Sequence, residues 1–218
     1  MAEVDLMALY PSGKSRAAER PAISDEDKHI SKQFGRDYFD GDRRYGYGGY
    51  KYHPRFWTGT VRHIRDHYQL PEDAVILDIG CAKGFMLRDF QLLMPQAQLA
   101  GIDISEYAIE NALAEVKPFV RQANAKRLPY PDKSFDLVLA INTIHNLARA
   151  ECLQSLREIE RVSRRHAFVM VDAYRTAEQH QAMLRWVLTA ETMLSVEDWL
   201  QLFAEAGYHG DYKWWTVE

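Results

Sequence analysis

The stretch 75–85, VILDIGCAKGF, constrains the fold of this chain more than any other part of it. An apolar run contains one acid, Asp78, and leads into a turn of small residues between Gly80 and Gly84, after which an amphipathic pattern predicts a helix. Strand, glycine turn and helix in this order are typical of α/β proteins that bring their backbone close to a cofactor. Because an acid is costly to bury without a partner, we expect the partner of Asp78 to be a ligand.

This stretch resembles motif I of the class I S-adenosylmethionine (SAM) dependent methyltransferases, in which an acid precedes spaced small residues. Here the motif is Asp78-x-Gly80-x-Ala82-x-Gly84, with alanine at the middle position, where the family usually has glycine. A nicotinamide dinucleotide site would instead have the pattern GxGxxG. Laid from Gly80, that pattern requires glycine where the chain has Ala82 and Phe85, so the oxidoreductase alternative fails at two of three positions.

A second acid lies where related folds bind a ribose. The apolar run 99–104 predicts the second strand and contains Asp103, 25 residues after Asp78. In nucleotide-binding α/β proteins an acid about 20 residues after the glycine turn accepts hydrogen bonds from ribose hydroxyls. Ser105 can cap the helix that follows, which leaves Asp103 for the ribose. The alternative is that Asp103 itself only caps that helix.

The resemblance continues up to the fourth strand, predicted over 135–141. The preceding segment is similar to the part of class I methyltransferases in which a polar residue lies beside adenine, a place that Asn124 occupies here, although asparagine also favours turns. The family uses SAM and releases S-adenosylhomocysteine (SAH). The resemblance implies a cofactor site formed by the following residues: Asp78, Gly80, Cys81, Gly84, Asp103, Ile104, Asn124, Ala125 and Asn142.

The ends of the fourth and fifth strands carry polar residues that can meet a substrate, because ligands of open α/β sheets bind at the carboxyl ends of strands. Related small-molecule methyltransferases often carry histidine where His145 lies. It could take a proton from an attacking hydroxyl or amine, or it could only pack at a helix start. Asp172, Tyr174 and Arg175 follow the fifth strand, predicted over 167–171, and are candidate substrate contacts. Helix capping and surface pairing are the alternatives.

Tyrosines alternate with glycines in the segment 38–52, which is neither a good helix nor a simple strand. Glycine gives such a segment mobility, and tyrosine gives it flat faces with polar tips. Because long irregular loops in compact domains are usually functional, we expect a lid over cofactor and substrate, with Tyr47 and Tyr50 as substrate contacts. An aromatic face near a sulfonium would also gain cation–π attraction. The alternative is a loop that only packs on the surface.

The predicted fold is α/β, a doubly wound, mostly parallel sheet in a single domain. Residues 1–69 would form an N-terminal arm (a mobile extension over 1–22), the lid and a leading helix, and residues 70–218 the SAM-binding core. The resemblance implies a strand order of 3-2-1-4-5 and a seventh, antiparallel strand, whereas the pattern shows six strands. An edge of the sheet would then be covered by the arm or paired in a homodimer.

Bulk properties exclude several classes of partner. The net charge of −4 gives no basic field for nucleic acid. No apolar run approaches the ~20 residues of a membrane span, and residues 1–14 lack the apolar centre of a signal peptide. Two cysteines form no disulfide framework, which favours a cytoplasmic location. No metal site is predicted.

The expected function is therefore SAM-dependent methyl transfer to a small molecule. The segment 38–52 looks similar to small bacterial methyltransferases of sugar, surface-polysaccharide or secondary-metabolite pathways, which implies O-methylation of a hydroxylated metabolite or sugar. N- and C-methylation stay open. The alternative is a regulatory or scaffold protein that binds SAM without transferring its methyl group.

Overall fold

Seven strands form one sheet at the centre of the structure, a computed structural model that describes residues 1–11 and 23–216. The strands are, in chain order, β1 (Val75–Ile79), β2 (Gln98–Asp103), β3 (Val120–Gln122), β4 (Phe135–Ile141), β5 (Ser163–Tyr174), β6 (Leu194–Ser195) and β7 (Asp211–Trp215). The order is β3-β2-β1-β4-β5, and both β6 and β7 pair with β5 beyond this series. The predicted 3-2-1-4-5 order is confirmed.

Two features of the sheet differ from the expectation. The sequence predicts six strands, and the seventh, β6, has two residues and so shows no periodicity. The expected antiparallel last strand is wrong: β7 runs parallel to β5, from Phe168 opposite Asp211 to Asp172 opposite Trp215. Every strand pair in the described part of the chain is parallel.

The free edge of β7 is covered by the start of the chain. Tyr212 N donates to Ala2 O (3.0 Å), and Val4 N donates to Tyr212 O (2.9 Å), while Leu6 is fully buried in the core. Residues 1–11 are therefore packed, and the prediction of a mobile extension is wrong for them. The rest of that predicted extension, 12–22, lies outside the described residues.

The helices begin and end at signals that the sequence carries. They are α1 (Asp25–Ser31), α2 (Arg36–Asp40), α3 (Pro54–Tyr68), α4 (Phe85–Leu93), α5 (Glu106–Glu110), α6 (Arg149–Val162), α7 (Ala177–Trp186) and α8 (Val196–Ala206), with 3₁₀ turns at Lys117–Phe119 and Ile144–Asn146. Ser24 forms a capping box with Asp27, and Gly207 ends α8 in the left-handed conformation. The helix that follows Asp103, α5, is short and ends at Glu110, and beyond it Leu113 N donates to Lys83 O (3.1 Å).

Apolar side chains pack on both faces of the sheet, as a doubly wound fold requires. On one face α3 and α4 bury Ile64 and Phe90 against β1 and β4. On the other face α6 and α8 bury Leu156, Trp199 and Phe203. Each such side chain contributes about 1.5–3 kcal/mol on burial. The carboxyl ends of β1, β2 and β4 are left open between these layers.

Candidate functional site

A cleft of about 1070 Å³ opens at the carboxyl ends of β1, β2 and β4. Eight of the nine predicted cofactor residues line it: Asp78, Gly80, Cys81, Asp103, Ile104, Asn124, Ala125 and Asn142. The ninth, Gly84, does not line the cleft. Its backbone begins α4 at φ 77°, and a Cβ atom there would lie 2.6 Å from the Val116 side chain, so this glycine serves packing beneath the turn.

The turn after β1 holds three residues in the left-handed region, Gly80 (φ 78°), Ala82 (φ 49°) and Gly84 (φ 77°). A Cβ atom on Gly80 would lie 2.1 Å from Thr143 Oγ1, so only glycine fits there. Ala82 bears the strain of an L-residue in this region, about 1–2 kcal/mol. Its methyl group packs in an apolar cluster with Phe39, so alanine supplies a contact that glycine could not.

Asp78 is a buried acid with an open carboxylate. It lines the cleft from the end of β1, and no donor in residues 1–11 or 23–216 forms a hydrogen bond to its side chain. Burial raises the pKa of Asp78 to about 8, and the nearby Asp103 charge adds to the rise. A cationic ligand would stabilise the ionised carboxylate and lower this pKa again.

Asp103 braces the backbone around the cleft. Its Oδ2 accepts from Ala82 N (2.8 Å) and its Oδ1 from Ser105 N (2.8 Å), while Ser105 caps α5 through Ala108 N. Burial raises the pKa of Asp103, and these backbone donors oppose the rise. Because the N–H of Ile104 also acts on this carboxylate, three of its roughly four acceptor positions are used, and one is left for a ribose hydroxyl, whose binding stays a prediction.

Asn124 and Cys81 line the cleft with side chains that have local roles. Asn124 Oδ1 accepts from Lys126 N (3.0 Å), which is the turn chemistry considered as an alternative. The Cys81 side chain lies directly against Gly101 of β2. A Cβ atom on Gly101 would lie only 2.8 Å from Cys81 Sγ. The backbone of Cys81 is also engaged within the fold, since its N donates to Ile102 O (3.0 Å) and its O accepts from Gly84 N (2.9 Å).

The aromatic segment lies over the cleft. Tyr47 and Tyr50 both line it, with ring centroids 4.2 Å apart, and Tyr50 stacks on Phe85 of α4 at 4.5 Å. Residues that sequence analysis left unassigned also line the cleft: Phe34, Tyr38, Phe39, Trp57, Met86, Thr143, Asn146, Met170 and Trp215. Tyr38 and Phe39 carried a signal, since they belong to the segment predicted as a lid, whereas Trp57 lies after that segment.

A cluster that we call the latch fixes this segment to the turn after β1. Lys83 Nζ donates to Asp40 Oδ2 (2.5 Å) and to Tyr50 O (3.2 Å). Tyr107 OH donates to the same Asp40 oxygen (2.7 Å), and Tyr50 N donates to Asp40 Oδ1 (3.0 Å). Although burial disfavours the charged form of Asp40, these donors hold the pKa of its carboxyl below the ordinary value. The latch consists of Lys83, Asp40, Tyr50 and Tyr107.

A second cavity of about 720 Å³ adjoins the cleft and contains the predicted catalytic residue, His145. Tyr47, Tyr50 and Asn142 line both spaces. His145 is buried, and its Nδ1 accepts from the backbone N of Asp172 (2.9 Å). The proton of the neutral imidazole therefore lies on Nε2.

Asp172, a predicted substrate contact, also lines the second cavity. Its Oδ1 is 3.7 Å from His145 Nδ1, and burial raises the pKa of its carboxyl. The other two predicted contacts lie elsewhere. Tyr174 stacks on His180 (4.3 Å), and Arg175 pairs with Glu3 (3.6 Å), so the structure brings neither to the cleft nor to the second cavity.

Comparisons with known proteins agree with this geometry. Residues 77–171 match the family model described as a methyltransferase domain. A malonyl-[acyl-carrier protein] O-methyltransferase of Legionella pneumophila is 37% identical over 75 residues, which are 32% of this chain and 26% of that protein. The chain spans between 26% and 59% of the length of the curated relatives it matches.

Solved structures share the fold at low identity. A SAM-dependent methyltransferase from Aquifex aeolicus superposes with a TM-score of 0.50 at 20% identity, covering 67% of this chain and 78% of that one. The [4+2]-cyclase SpnF superposes with a TM-score of 0.53 at 21% identity, covering 69% and 56%. The strand order, the left-handed turn after β1 and the match of residues 77–171 together support a class I SAM-dependent methyltransferase.

Proposed function

We propose that this protein transfers the methyl group of SAM to a hydroxyl group of a small metabolite or sugar. The observation that carries the proposal is Asp78, a buried carboxylate on the cleft wall with no donor in the described part of the chain. The ammonium group of SAM is a cation that can pair with this acid. Such pairing would lower the pKa of Asp78 and recover the cost of burying it.

The remaining cleft residues fit the other parts of SAM. Asp103 keeps an acceptor position for the ribose, Ile104 gives an apolar face for adenine, and Asn142 offers a carbonyl to the ammonium group. Asn146 Oδ1 is a second buried acceptor on the cleft wall without a described donor, and it suits an N–H group of the ligand. When bound, SAM supplies a methyl group on a positively charged sulfur.

The second cavity would hold the methyl acceptor beside that sulfur. It meets the cleft at Tyr47, Tyr50 and Asn142, so an acceptor there lies next to the cofactor. Holding two reactants in line is the main contribution an enzyme makes to such a displacement. The aromatic segment above both spaces would exclude water when it closes.

The acceptor hydroxyl must lose its proton as it attacks, and His145 and Asp172 are the candidates to take it. His145 Nδ1 already accepts a hydrogen bond, and Nε2 carries a proton, so the ring is arranged as a donor in this state. The Asp172 carboxylate has no donor in the described residues and lines the same cavity. Asp172 would therefore take the proton, while His145 orients the acceptor oxygen.

The alternative is a SAM-binding regulatory or scaffold protein. Fold alone does not decide, since SpnF, by its name a cyclase, shares this architecture. The second cavity with its buried His145 and Asp172 favours a transferase, because a binding protein needs no acceptor space beside the cofactor. The name of the Legionella relative, an O-methyltransferase, also supports transfer to oxygen.

The net charge of −4 and the second cavity of about 720 Å³ also fit a small acceptor. The proposal includes a cytoplasmic location and no nucleic-acid partner. No helix in the described residues combines the length and apolarity needed to cross a bilayer. A homodimer would have to form without the β7 edge, which residues 2–4 already cover. A molecular-mass measurement in solution tests it.

Calorimetric titration with SAM, SAH and NAD tests the proposal. We expect SAM and SAH to bind the natural protein and NAD not to bind. Asp78→Asn should weaken the binding of SAM and of SAH. Asp73→Asn is the control, because Asp73 is an exposed acid just before β1, and it should leave the binding of both unchanged. Transfer of a labelled methyl group to hydroxylated acceptors then tests catalysis. Failure of SAH to bind would overturn the cofactor assignment, and binding without transfer to any acceptor would favour the scaffold alternative.

A further inference from the structure

The lining of the second cavity has a charge opposite to that of the whole chain. Three cations line it, Arg43, Lys51 and Arg55, and Asp172 is the one acid among its lining residues in the described chain. The protein as a whole carries a net charge of −4. A cationic cavity in an acidic protein points to a ligand with negative charge.

These three cations have no acidic partners within the described residues, unlike their neighbours. Arg36 and Arg44 lie within ion-pair distance of Asp37 and Asp27. Arg43 instead donates to the carbonyl of Gly46, and Arg55 lies over the Phe56 ring with its guanidinium carbon 4.6 Å from the ring centroid. Their positive charges are therefore available to a ligand.

The start of α3 adds to the positive potential. This helix has 15 residues, and its N-cap, His53, lines the second cavity. A helix N-terminus carries partial positive charge, which favours anions. Its first N–H groups are already used, since Pro54 has none and Arg55 N and Phe56 N donate to His53, so this helix end adds potential rather than hydrogen bonds.

Aromatic side chains form another part of the cavity lining. Trp186 and Trp215 both line it and stack with ring centroids 4.5 Å apart and planes 21° apart, and Phe56 and Trp57 also line it. Flat apolar walls accept a flat apolar ligand body. The wall that carries Asp172 and His145 would face the reacting hydroxyl.

We infer that the methyl acceptor is a planar hydroxylated compound bearing a carboxylate or phosphate group, which Arg43, Lys51 and Arg55 bind. This inference rests on the proposed function and narrows its acceptor class. A carboxylate or phosphate forms charge-assisted hydrogen bonds with arginine and lysine. A neutral sugar leaves these cations without a partner.

The test measures binding of three probes to the protein saturated with SAH: 4-hydroxybenzoate, 4-hydroxyphenyl phosphate and the neutral 4-hydroxybenzamide. We expect at least one anion to bind roughly tenfold more tightly than the amide, and this preference to decline as ionic strength rises from about 0.1 to about 1 M. The anion that binds more tightly shows whether the acceptor's charged group is a carboxylate or a phosphate.

The double variant K51Q/R55Q should lose this preference. Arg62→Gln is the matched control, because Arg62 is exposed on the same helix as Arg55 but does not line the cavity. Equal binding of amide and anions, an unchanged preference in the double variant, or no binding of any probe would overturn the inference. Loss of SAH binding itself would instead contradict the proposed function, so the two failures are distinguishable.

Discussion

Lys83 and Asp40 lie 43 residues apart in the sequence, yet their side chains meet at 2.5 Å. The contact joins the turn after β1, which shapes the cleft, to the aromatic segment above it. The Lys83 side chain is 9% exposed and that of Asp40 25%, so the pair is shielded from water and from salt. The position of the segment over the cleft therefore depends on the conformation of the turn.

Replacing Lys83 tests this connection. Lys83→Met should lower the free energy of unfolding by about 1.5–3 kcal/mol, since it leaves the Asp40 carboxylate without its charged donor. It should also increase tryptic cleavage within the segment 41–53. Urea titration and limited proteolysis measure the two effects. Arg149→Met removes an exposed pair with Glu205 far from the segment, so it should cost less than about 1 kcal/mol and leave cleavage unchanged. Equal cleavage of both variants would contradict the latch.

Asp78 should make stability depend on pH. The folded protein holds this proton up to about pH 8, whereas the unfolded chain loses it near its ordinary value of 3.8. Between these values the folded state binds more protons, so the free energy of unfolding falls as pH rises, by up to about 1.4 kcal/mol per pH unit from this group. Asp78→Asn should remove that component, measured by urea titration at pH 5, 6, 7 and 8. If the free energy of unfolding changes with pH in the same way in both proteins, the raised pKa of Asp78 is disproved.

The same acid should release a proton when the cofactor binds. The ammonium group of SAH stabilises the ionised carboxylate, so at pH 7 the complex holds close to one proton fewer than the free protein. Calorimetry of SAH binding in buffers of different ionisation enthalpy measures this number. Asp73→Asn should release the same number as the natural protein. No proton release at pH 7 would mean that Asp78 does not pair with the ligand.

Gly80 should not tolerate a side chain. Gly80→Ala places a Cβ atom 2.1 Å from Thr143 Oγ1 and adds the strain of a left-handed L-residue, about 1–2 kcal/mol, to that clash. The double variant with Thr143→Ala should recover part of the loss, because the closest atom is gone. Ala82→Gly is the comparison: relief of strain offsets lost chain rigidity and the methyl contact with Phe39, so stability should change by less than about 1 kcal/mol. Full tolerance of Gly80→Ala would contradict the close approach.

The pair of Asp172 and His145 should act on kcat and not on cofactor binding. Asp172→Asn should lower kcat about 10²–10⁴-fold and remove the acidic limb of the pH–rate profile, while SAH binds as before. That limb should lie above pH 3.8 because burial raises the pKa of Asp172. His145→Asn keeps an acceptor for Asp172 N but loses Nε2–H, so its effect should be smaller. A larger effect of His145→Asn than of Asp172→Asn would make histidine the base.

The sequence predicted the structure correctly where the signal lies in neighbouring residues. The bounds of β1 and β4 agree with prediction because both are continuous apolar runs next to breakers. Two predicted substrate contacts, Tyr174 and Arg175, line neither cavity because β5 extends to Tyr174, past the predicted end at 171. The latch had no local signal at all. Its members come from three separate segments, and only the tertiary fold brings them together.

The contact between Ala2 and Tyr212 sets an order of events during synthesis. Residue 2 leaves the ribosome long before residue 212, and its segment cannot dock until β7 has formed. That segment continues to Tyr10, which lines both the cleft and the second cavity. The nascent chain can therefore build most of its sheet while it is being translated, but the wall that Tyr10 provides is completed only after the last strand has emerged.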